Sequence, residues 1–286
     1  MIPCRLLPET RQRIEEYAEE LRKAAPSIGG HGLSEEEFEQ SGIFRSAIEI
    51  IRGQQSATTV RKREFVEEIL EVLRKGRAVS EWRFVGARER HDYEVLMPNG
   101  RMSVVETKGC LDGNNTNIFQ RPPHADEFII WSLCQNPGAD PVRNAWSGIV
   151  TRLSAEIIHR KQIVDGLIIW DMVCGTLGRP CPKVLEDRRR STLLPSGSRV
   201  PPPCVYVLPR TIPDPRNNPN PRPGVLRDVA LMAAILKGFG GLKSDVTEVG
   251  FEVRQNGADT QRKISFHRGG QVIPGSGWIT VRRAAR

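Results

Sequence analysis

Hydrophobic residues in the first quarter of the chain recur at the three- and four-residue spacing of amphipathic helices. This spacing predicts helices over residues 9–24, 35–53 and about 58–75, the second with Ser34 and Glu37 in the spacing of a capping box. The third helix has a continuous apolar stripe formed by Phe65, Val66, Ile69, Leu70, Val72 and Leu73. Because such a stripe must be covered, we expect the third helix to pack on a sheet.

After residue 80 the pattern changes to short β-branched and aromatic runs, which are typical of strands. Strands are predicted at 81–86, 92–97, 102–107, 128–133 and 163–170. A helix is predicted from about 141 to 161, with Asp140 as its N-cap. The order of helix, three strands, helix and strand (αβββαβ) predicts an α/β (α+β) core with a central mixed sheet flanked by helices.

The second and third strands are joined by Pro98-Asn99-Gly100 and form a hairpin. A two-residue loop would place Asp92 opposite Thr107, and a three-residue loop would place it opposite Glu106. We favour the three-residue loop, because Pro and Asn suit the centre of a type I turn and Gly100 suits the left-handed residue after it.

In that register Asp92 and Glu106 face each other at about 5 Å between Cβ atoms. Lys108 lies on the same face as Glu106, and Thr107 points away. Two carboxylates at this distance repel each other unless a cation lies between them, and Mg²⁺ prefers such ligands. An ordinary surface pair of Glu106 and Lys108 is the alternative interpretation.

Asp92, thirteen intervening residues, and then Glu106-Thr107-Lys108 on a hairpin within an αβββαβ order resemble the PD-(D/E)xK nuclease superfamily, most of all its type II restriction endonucleases. The resemblance covers about residues 58–172. It implies a restriction-endonuclease-like core in which Asp92, Glu106 and the backbone carbonyl of Thr107 hold Mg²⁺ and Lys108 is the catalytic lysine. Some members add a carboxylate from the first core helix, for which Glu68 is the candidate. His91 stands where the family motif has proline.

The expected function is therefore a Mg²⁺-dependent, site-specific endonuclease that cleaves double-stranded DNA as a homodimer, with Mn²⁺ able to substitute and with no nucleotide cofactor. One alternative is a repair or recombination nuclease of the same superfamily, of the resolvase or mismatch-nicking type. Another is a non-catalytic DNA-binding protein that uses the nuclease scaffold.

The charge distribution also points to a polyanionic partner. The formal net charge is +8, and residues 201–286 alone contribute +7. Lysines and arginines that neutralise phosphates supply most of the sequence-independent affinity for DNA. The candidate DNA-binding residues are Gln54, Gln55, Asn114, Asn115, Asn117, Gln120, Arg254, Arg262, Lys263 and Arg268. The alternative interpretations are that the asparagines and glutamines only form turns and loops, and that the basic residues only form a solvent-exposed face.

Three regions follow from these patterns. Residues 1–56 form an N-terminal helical extension, residues 57–200 the nuclease core, and residues 201–286 a basic, β-rich C-terminal region for DNA contact or dimerisation. The last region begins with residues 201–223, which hold nine of the 21 prolines. We expect an extended crossing there with one edge strand at 204–208.

No apolar run approaches the ~18 residues of a membrane span, and the N-terminus lacks the apolar block of a secretory signal. We therefore expect no membrane partner and a location in a prokaryotic cytoplasm. The six cysteines are irregularly spaced, which suits reduced thiols. A zinc site built from Cys174 and Cys181, with Cys134 or His124, is a further possibility.

Overall fold

A computed structural model describes residues 7–48, 59–86, 91–109, 121–133, 158, 161, 163–211, 213–215, 222 and 224–281. The named α-helices are α1 (Pro8–Ala24), α2 (Glu35–Ser41), α3 (Thr59–Lys75), α4 (Pro182–Glu186) and α5 (Ala230–Gly238). The predicted first and third helices are thus confirmed. Most of the predicted helix over 141–161 lies outside the described residues.

The predicted second helix is interrupted. Its start is as expected, because the Ser34 side chain accepts from the Glu37 N–H and the Glu37 carboxylate accepts from the Ser34 N–H at 2.9 Å. Gly42 has a left-handed φ of 69°, so α2 ends at Ser41, and helical backbone resumes over 43–48.

In the part of the chain that the structure describes, ten strands form one mixed sheet. They are β1 (Glu81–Phe84), β2 (Tyr93–Leu96), β3 (Met102–Gly109), β4 (Glu127–Leu133), β5 (Gly166–Ile169), β8 (Cys204–Val207), β9 (Val246–Asn256), β10 (Asp259–Arg268), β11 (Gln271–Pro274) and β12 (Ile279–Thr280). Two short strands, β6 (Thr192–Leu193) and β7 (Arg199–Val200), pair separately. The order across the large sheet is β1-β2-β3-β4-β5-β8-β9-β10-β11, and β12 pairs with β10.

The first five strands fill in the predicted topology. β1, β2 and β3 are antiparallel neighbours, and β4 and β5 continue the sheet in parallel. The order αβββαβ therefore omits one element, since β4 is a full strand between β3 and β5. All seven residues of β4 are buried, as expected for a central parallel strand.

Helices α3 and α5 cover one face of the sheet. Phe65, Ile69 and Leu70 of α3 form one core with Val105 of β3 and Trp131 of β4. Strand alternation sends the intervening residues to the other face, where a second core contains Val104, Phe128, Ile130, Leu167 and Phe266. The apolar stripe of the third helix thus has the partner that its pattern requires.

Glu127 joins three elements beside this core. Its fully buried carboxylate accepts from the backbone N–H groups of Ala230 at 2.6 Å and Leu231 at 3.2 Å, at the N-terminus of α5. It also accepts from the Ser103 hydroxyl at 2.7 Å and pairs with Arg101 at 2.9 Å. A negative charge at this position satisfies the unpaired N–H groups of the helix end.

The C-terminal region extends the same sheet. The predicted edge strand at 204–208 is instead an interior strand, because β8 pairs with β5 on one side and with β9 on the other. The prolines do not prevent this, since Pro201, Pro202 and Pro203 precede the strand and leave its N–H groups intact. Among the helices of the described residues, none has both the length and the apolar character that a membrane crossing requires.

Candidate active site

The β2–β3 hairpin turns through three residues, as the sequence predicts. The Met97 N–H donates to the Arg101 carbonyl at 2.9 Å, and the Gly100 N–H donates to the Met97 carbonyl at 2.9 Å. Gly100 has the expected left-handed φ, 80°. The resulting register pairs Tyr93 with Val105. Continued by one residue, it would set Asp92 opposite Glu106.

Asp92 departs from this ladder. Its N–H donates to the carbonyl of Val105 at 3.0 Å, although Val105 is already paired with Tyr93. Two residues of one strand thus oppose one residue of the other, as at a β-bulge, which re-aims a side chain. The Asp92 Oδ2 atom accepts from the backbone N–H of Thr107 at 2.7 Å and from its hydroxyl at 2.5 Å. The expected facing of Asp92 and Glu106 is therefore replaced by a contact between Asp92 and Thr107.

Glu106 and Lys108 lie on one face of β3, as predicted, and form an ion pair at 2.6 Å. Glu106 is opposite Ile130 of the second core, whereas Thr107 is opposite Trp131 on the face that α3 covers. Asp92 is thus bonded to Thr107, the residue that lies between Glu106 and Lys108 in β3.

The ionisation of Glu106 reflects this setting. The pKa of Glu106 is raised to about 7, chiefly by burial and also by the negative charge of Asp92, although the hydrogen bond and charge of Lys108 lower it. A carboxyl group with this pKa is only partly ionised at neutral pH. A second cation, in addition to Lys108, would favour the charged form further.

An open cleft of about 350 Å³ lies beside Asp92. Its lining comes from the start of α3, the end of β1, the β2–β3 hairpin and the end of β4, and consists of Val60, Lys62, Arg63, Phe84, Asp92, Tyr93, Thr107, Lys108 and Leu133. The cleft therefore brings Asp92, Thr107 and Lys108 together at the carboxyl end of β3. Glu106 is not among the lining residues.

Two further cations of this cleft, Lys62 and Arg63, were not among the candidate residues predicted from the sequence. Burial lowers the pKa of Lys62. The Arg63 guanidinium lies 3.7 Å from the centre of the Phe84 ring and pairs with Glu67 at 2.7 Å. Their neighbourhood in the sequence, VRKREF, is a basic run at a helix start, which was the available signal.

Glu68, the candidate additional ligand, lies elsewhere. Its carboxylate accepts from the Ser196 N–H at 2.5 Å and from the Ser196 hydroxyl at 2.9 Å, and it does not line the cleft. Another acidic residue of α3, Glu67, interacts with two residues that line the cleft, through its ion pair with Arg63 and its electrostatic effect on the pKa of Tyr93. The expected role of Glu68 as a metal ligand is thus not supported by its position.

The candidate DNA-binding residues fall into two groups. Gln54, Gln55, Asn114, Asn115, Asn117 and Gln120 lie outside the described residues. The four basic candidates were expected to share one surface. They do not, because alternation along β9 and β10 places them on two faces of the sheet. Arg254 and Lys263 are on one face. Arg262, 4% exposed, and Arg268 are on the other, in the row of Ile264 and Phe266 of the second core.

The possible zinc site at Cys174 and Cys181 is not formed with His124. The Cys174, Cys181 and Cys204 thiols are buried, and burial raises the pKa of Cys181 to about 11. His124 contacts Glu94 instead. Cys134 lies outside the described residues.

Comparisons with protein-family models, with curated proteins and with solved structures find no match for this chain.

Proposed function

We propose that this chain is a Mg²⁺-dependent endonuclease of the PD-(D/E)xK, restriction type, which hydrolyses phosphodiester bonds of double-stranded DNA at specific sites. The observation that carries the proposal is the arrangement at the end of β3. Asp92 is bonded to Thr107, and Glu106 is paired with Lys108 on either side of that residue in the sequence. These are the residues on which the family resemblance rests.

The donor groups suit Mg²⁺. Asp92, Glu106 and the Thr107 carbonyl are hard oxygen ligands, and they are the residues that would hold the ion. A bound cation would lower the pKa of Glu106, which burial and the charge of Asp92 raise. Mg²⁺, or Mn²⁺ in its place, would supply charge stabilisation for the phosphate and a more acidic water.

The remaining chemistry falls to the protein's own groups. In hydrolysis the oxygen of a water molecule forms a new bond to phosphorus, one P–O bond of the backbone breaks, and the leaving oxygen takes a proton. Lys108, whose ammonium group lies 2.6 Å from Glu106, would orient the water and stabilise the negative charge that develops on the phosphate.

Lys62 and Arg63 give this cleft a role in DNA binding. Both lie at the start of α3 and line the cleft with Asp92 and Lys108. Cations at this position attract the phosphate backbone and offset the charge of the carboxylates. We therefore assign to them the positioning of a phosphate beside the reacting groups.

The test is incubation of the purified chain with long unmethylated DNA in Mg²⁺, in Mn²⁺ and in Ca²⁺. Discrete bands in Mg²⁺ that are absent for Asp92→Asn support restriction-type cleavage. Nicking or smearing supports the repair or recombination alternative. Binding without cleavage in any metal supports the non-catalytic alternative and contradicts the proposal.

The homodimer is tested separately. Double-strand cleavage at a symmetric site needs two active centres related by a two-fold axis. We expect light scattering of the DNA-bound protein, after the mass of the DNA is subtracted, to give a protein mass of twice the 32.1 kDa of one chain. A single chain per cleaved site would contradict the dimer.

A further inference from the structure

A second group of metal-binding side chains lies beside the hairpin. It consists of His91, which precedes β2, Glu94 within β2, and His124, which precedes β4. His91 and Glu94 are buried, whereas the His124 side chain is 53% exposed. This cluster shares no residue with the proposed Mg²⁺ site.

The three side chains converge on one oxygen atom. The Nε2 atoms of His91 and His124 lie 3.3 Å and 3.0 Å from the same Oε1 atom of Glu94. All three potential ligand atoms lie within 4.8 Å of one another. The other carboxylate oxygen, Oε2, pairs with Arg83 at 2.5 Å, which fixes the orientation of the Glu94 side chain.

We propose that His91, Glu94 and His124 bind one divalent transition-metal ion of the Zn²⁺ class. Ligands about 2.0–2.1 Å from an ion at tetrahedral angles lie about 3.4 Å apart, close to the two distances observed here. Two imidazole nitrogens and one carboxylate oxygen are a zinc ligand set that leaves a fourth position for water. The nitrogen donors distinguish this site from a Mg²⁺ site, which takes oxygen ligands.

The competing interpretation is a purely hydrogen-bonded cluster. In that case each Nε2–H donates to Glu94. The buried Nδ1 of His91 has no hydrogen-bond partner among the described residues under either interpretation, so it does not favour one of them. A measurement of metal binding distinguishes the two interpretations.

The site would connect two distant parts of the chain. Glu94 and His124 are 30 residues apart, and the segment between them contains β3 with the Glu106–Lys108 pair. Glu94 pairs with Val104, so it stands in the same row as Glu106, one step along the sheet. A bound ion would therefore hold the segment before β4, which carries His124, against β2, next to the proposed active site.

The experiment is calorimetric titration of ZnCl₂ into tag-free, chelator-treated protein, without DNA or Mg²⁺. We expect one ion per chain, with affinity at least ~10-fold weaker in His124→Ala and in Glu94→Gln. His124 is exposed, so its replacement leaves the fold intact. His267→Ala is the matched control, because His267 hydrogen-bonds Ser265 in β10 and should leave zinc affinity unchanged.

Two outcomes would overturn the proposal. Zinc binding absent from the wild-type protein would leave the cluster purely hydrogen-bonded. Binding unchanged in His124→Ala would assign the ion to other groups, such as the buried thiols. The outcome does not depend on nuclease activity, since Asp92→Asn should keep full zinc affinity even where it loses cleavage.

Discussion

The Oδ2 atom of Asp92 lies 2.7 Å from the backbone nitrogen of Thr107, the residue between Glu106 and Lys108. Through this bond Asp92 is held beside three consecutive residues of β3, of which Glu106 and Lys108 carry the other two reactive side chains. The bond forms because Asp92 lies at the bulge. There the N–H of Asp92 donates to the carbonyl of Val105, the residue that is already paired with Tyr93. The position of the aspartate thus depends on the bulge as well as on the turn.

The first prediction concerns cleavage. Asp92→Asn, Glu106→Gln and Lys108→Ala should each lower the Mg²⁺-dependent cleavage rate at least ~100-fold, because each removes a charge beside the reacting phosphate. DNA binding in Ca²⁺ should remain. The matched controls are Glu252→Gln and Lys75→Ala, which alter exposed ion pairs far from the cleft. Near-wild-type cleavage by any of the three variants would remove that residue from the site.

The second prediction concerns the pH dependence of stability. The pKa of Glu106 is raised in the folded state from 4.5 to about 7, so folding disfavours its charged form. The free energy of unfolding of the wild type should therefore lose a contribution as pH rises from about 4.5 to about 7. Glu106→Gln lacks this loss and should gain stability relative to the wild type between pH 5 and pH 8. Urea unfolding at both values measures it, and an equal difference at the two would show that the pKa is not raised.

The third prediction concerns Mg²⁺ binding without catalysis. At pH 8, Mg²⁺ at about ten times its dissociation constant should stabilise the wild type by about 1.4 kcal/mol. Asp92→Asn and Glu106→Gln should show less of this gain, while Glu252→Gln should show all of it. Thermal unfolding with and without Mg²⁺, in the absence of DNA, is the measurement. Equal shifts in all four proteins would place the ion elsewhere.

The turn was predictable from sequence because its residues are local. Pro98, Asn99 and Gly100 each suit one position of the loop, and the loop length fixes the pairing of β2 with β3. The bulge at Asp92 was not predictable, because it depends on contacts with Thr107 that alternation alone does not give. The His91, Glu94 and His124 cluster was missed for a similar reason, since one of its members lies 30 residues from the next.

The C-terminal strands show the same limit. A β-rich region was predicted for the C-terminal part of the chain, and the structure pairs two of its segments as β9 and β10. The prediction could not give their position in the sheet, because the pairing of β8 with both β5 and β9 joins segments far apart in sequence. The basic residues of these strands therefore lie on two faces of the sheet and not on the single surface that was expected.

The fourth prediction concerns these basic residues. Arg254 and Lys263 share one face, whereas Arg262 is buried, and its Nε and Nη1 atoms have no hydrogen-bond partner among the described residues. If the first face contacts phosphates, Arg254→Ala and Lys263→Ala should each reduce the salt slope of DNA binding by about one. Arg262→Met should leave the slope unchanged. Binding to cognate and random duplexes across a salt series tests this. A reduced slope for Arg262→Met would contradict the division of faces.

The fifth prediction tests the packing of α5 on the sheet that carries the site. Gly166 in β5 lies directly beneath Met232 of α5, and a Cβ atom at this position would overlap the Met232 sulfur. Both are enclosed in the core, so Gly166→Ala should lower the free energy of unfolding by about 1–3 kcal/mol. Gly30→Ala is the matched control, because a Cβ there meets no atom within 4 Å.

Combining Gly166→Ala with Met232→Ala should cost less than the sum of the two single changes, since the second relieves the overlap created by the first. Strict additivity in urea unfolding would show that α5 does not rest on β5 at this point.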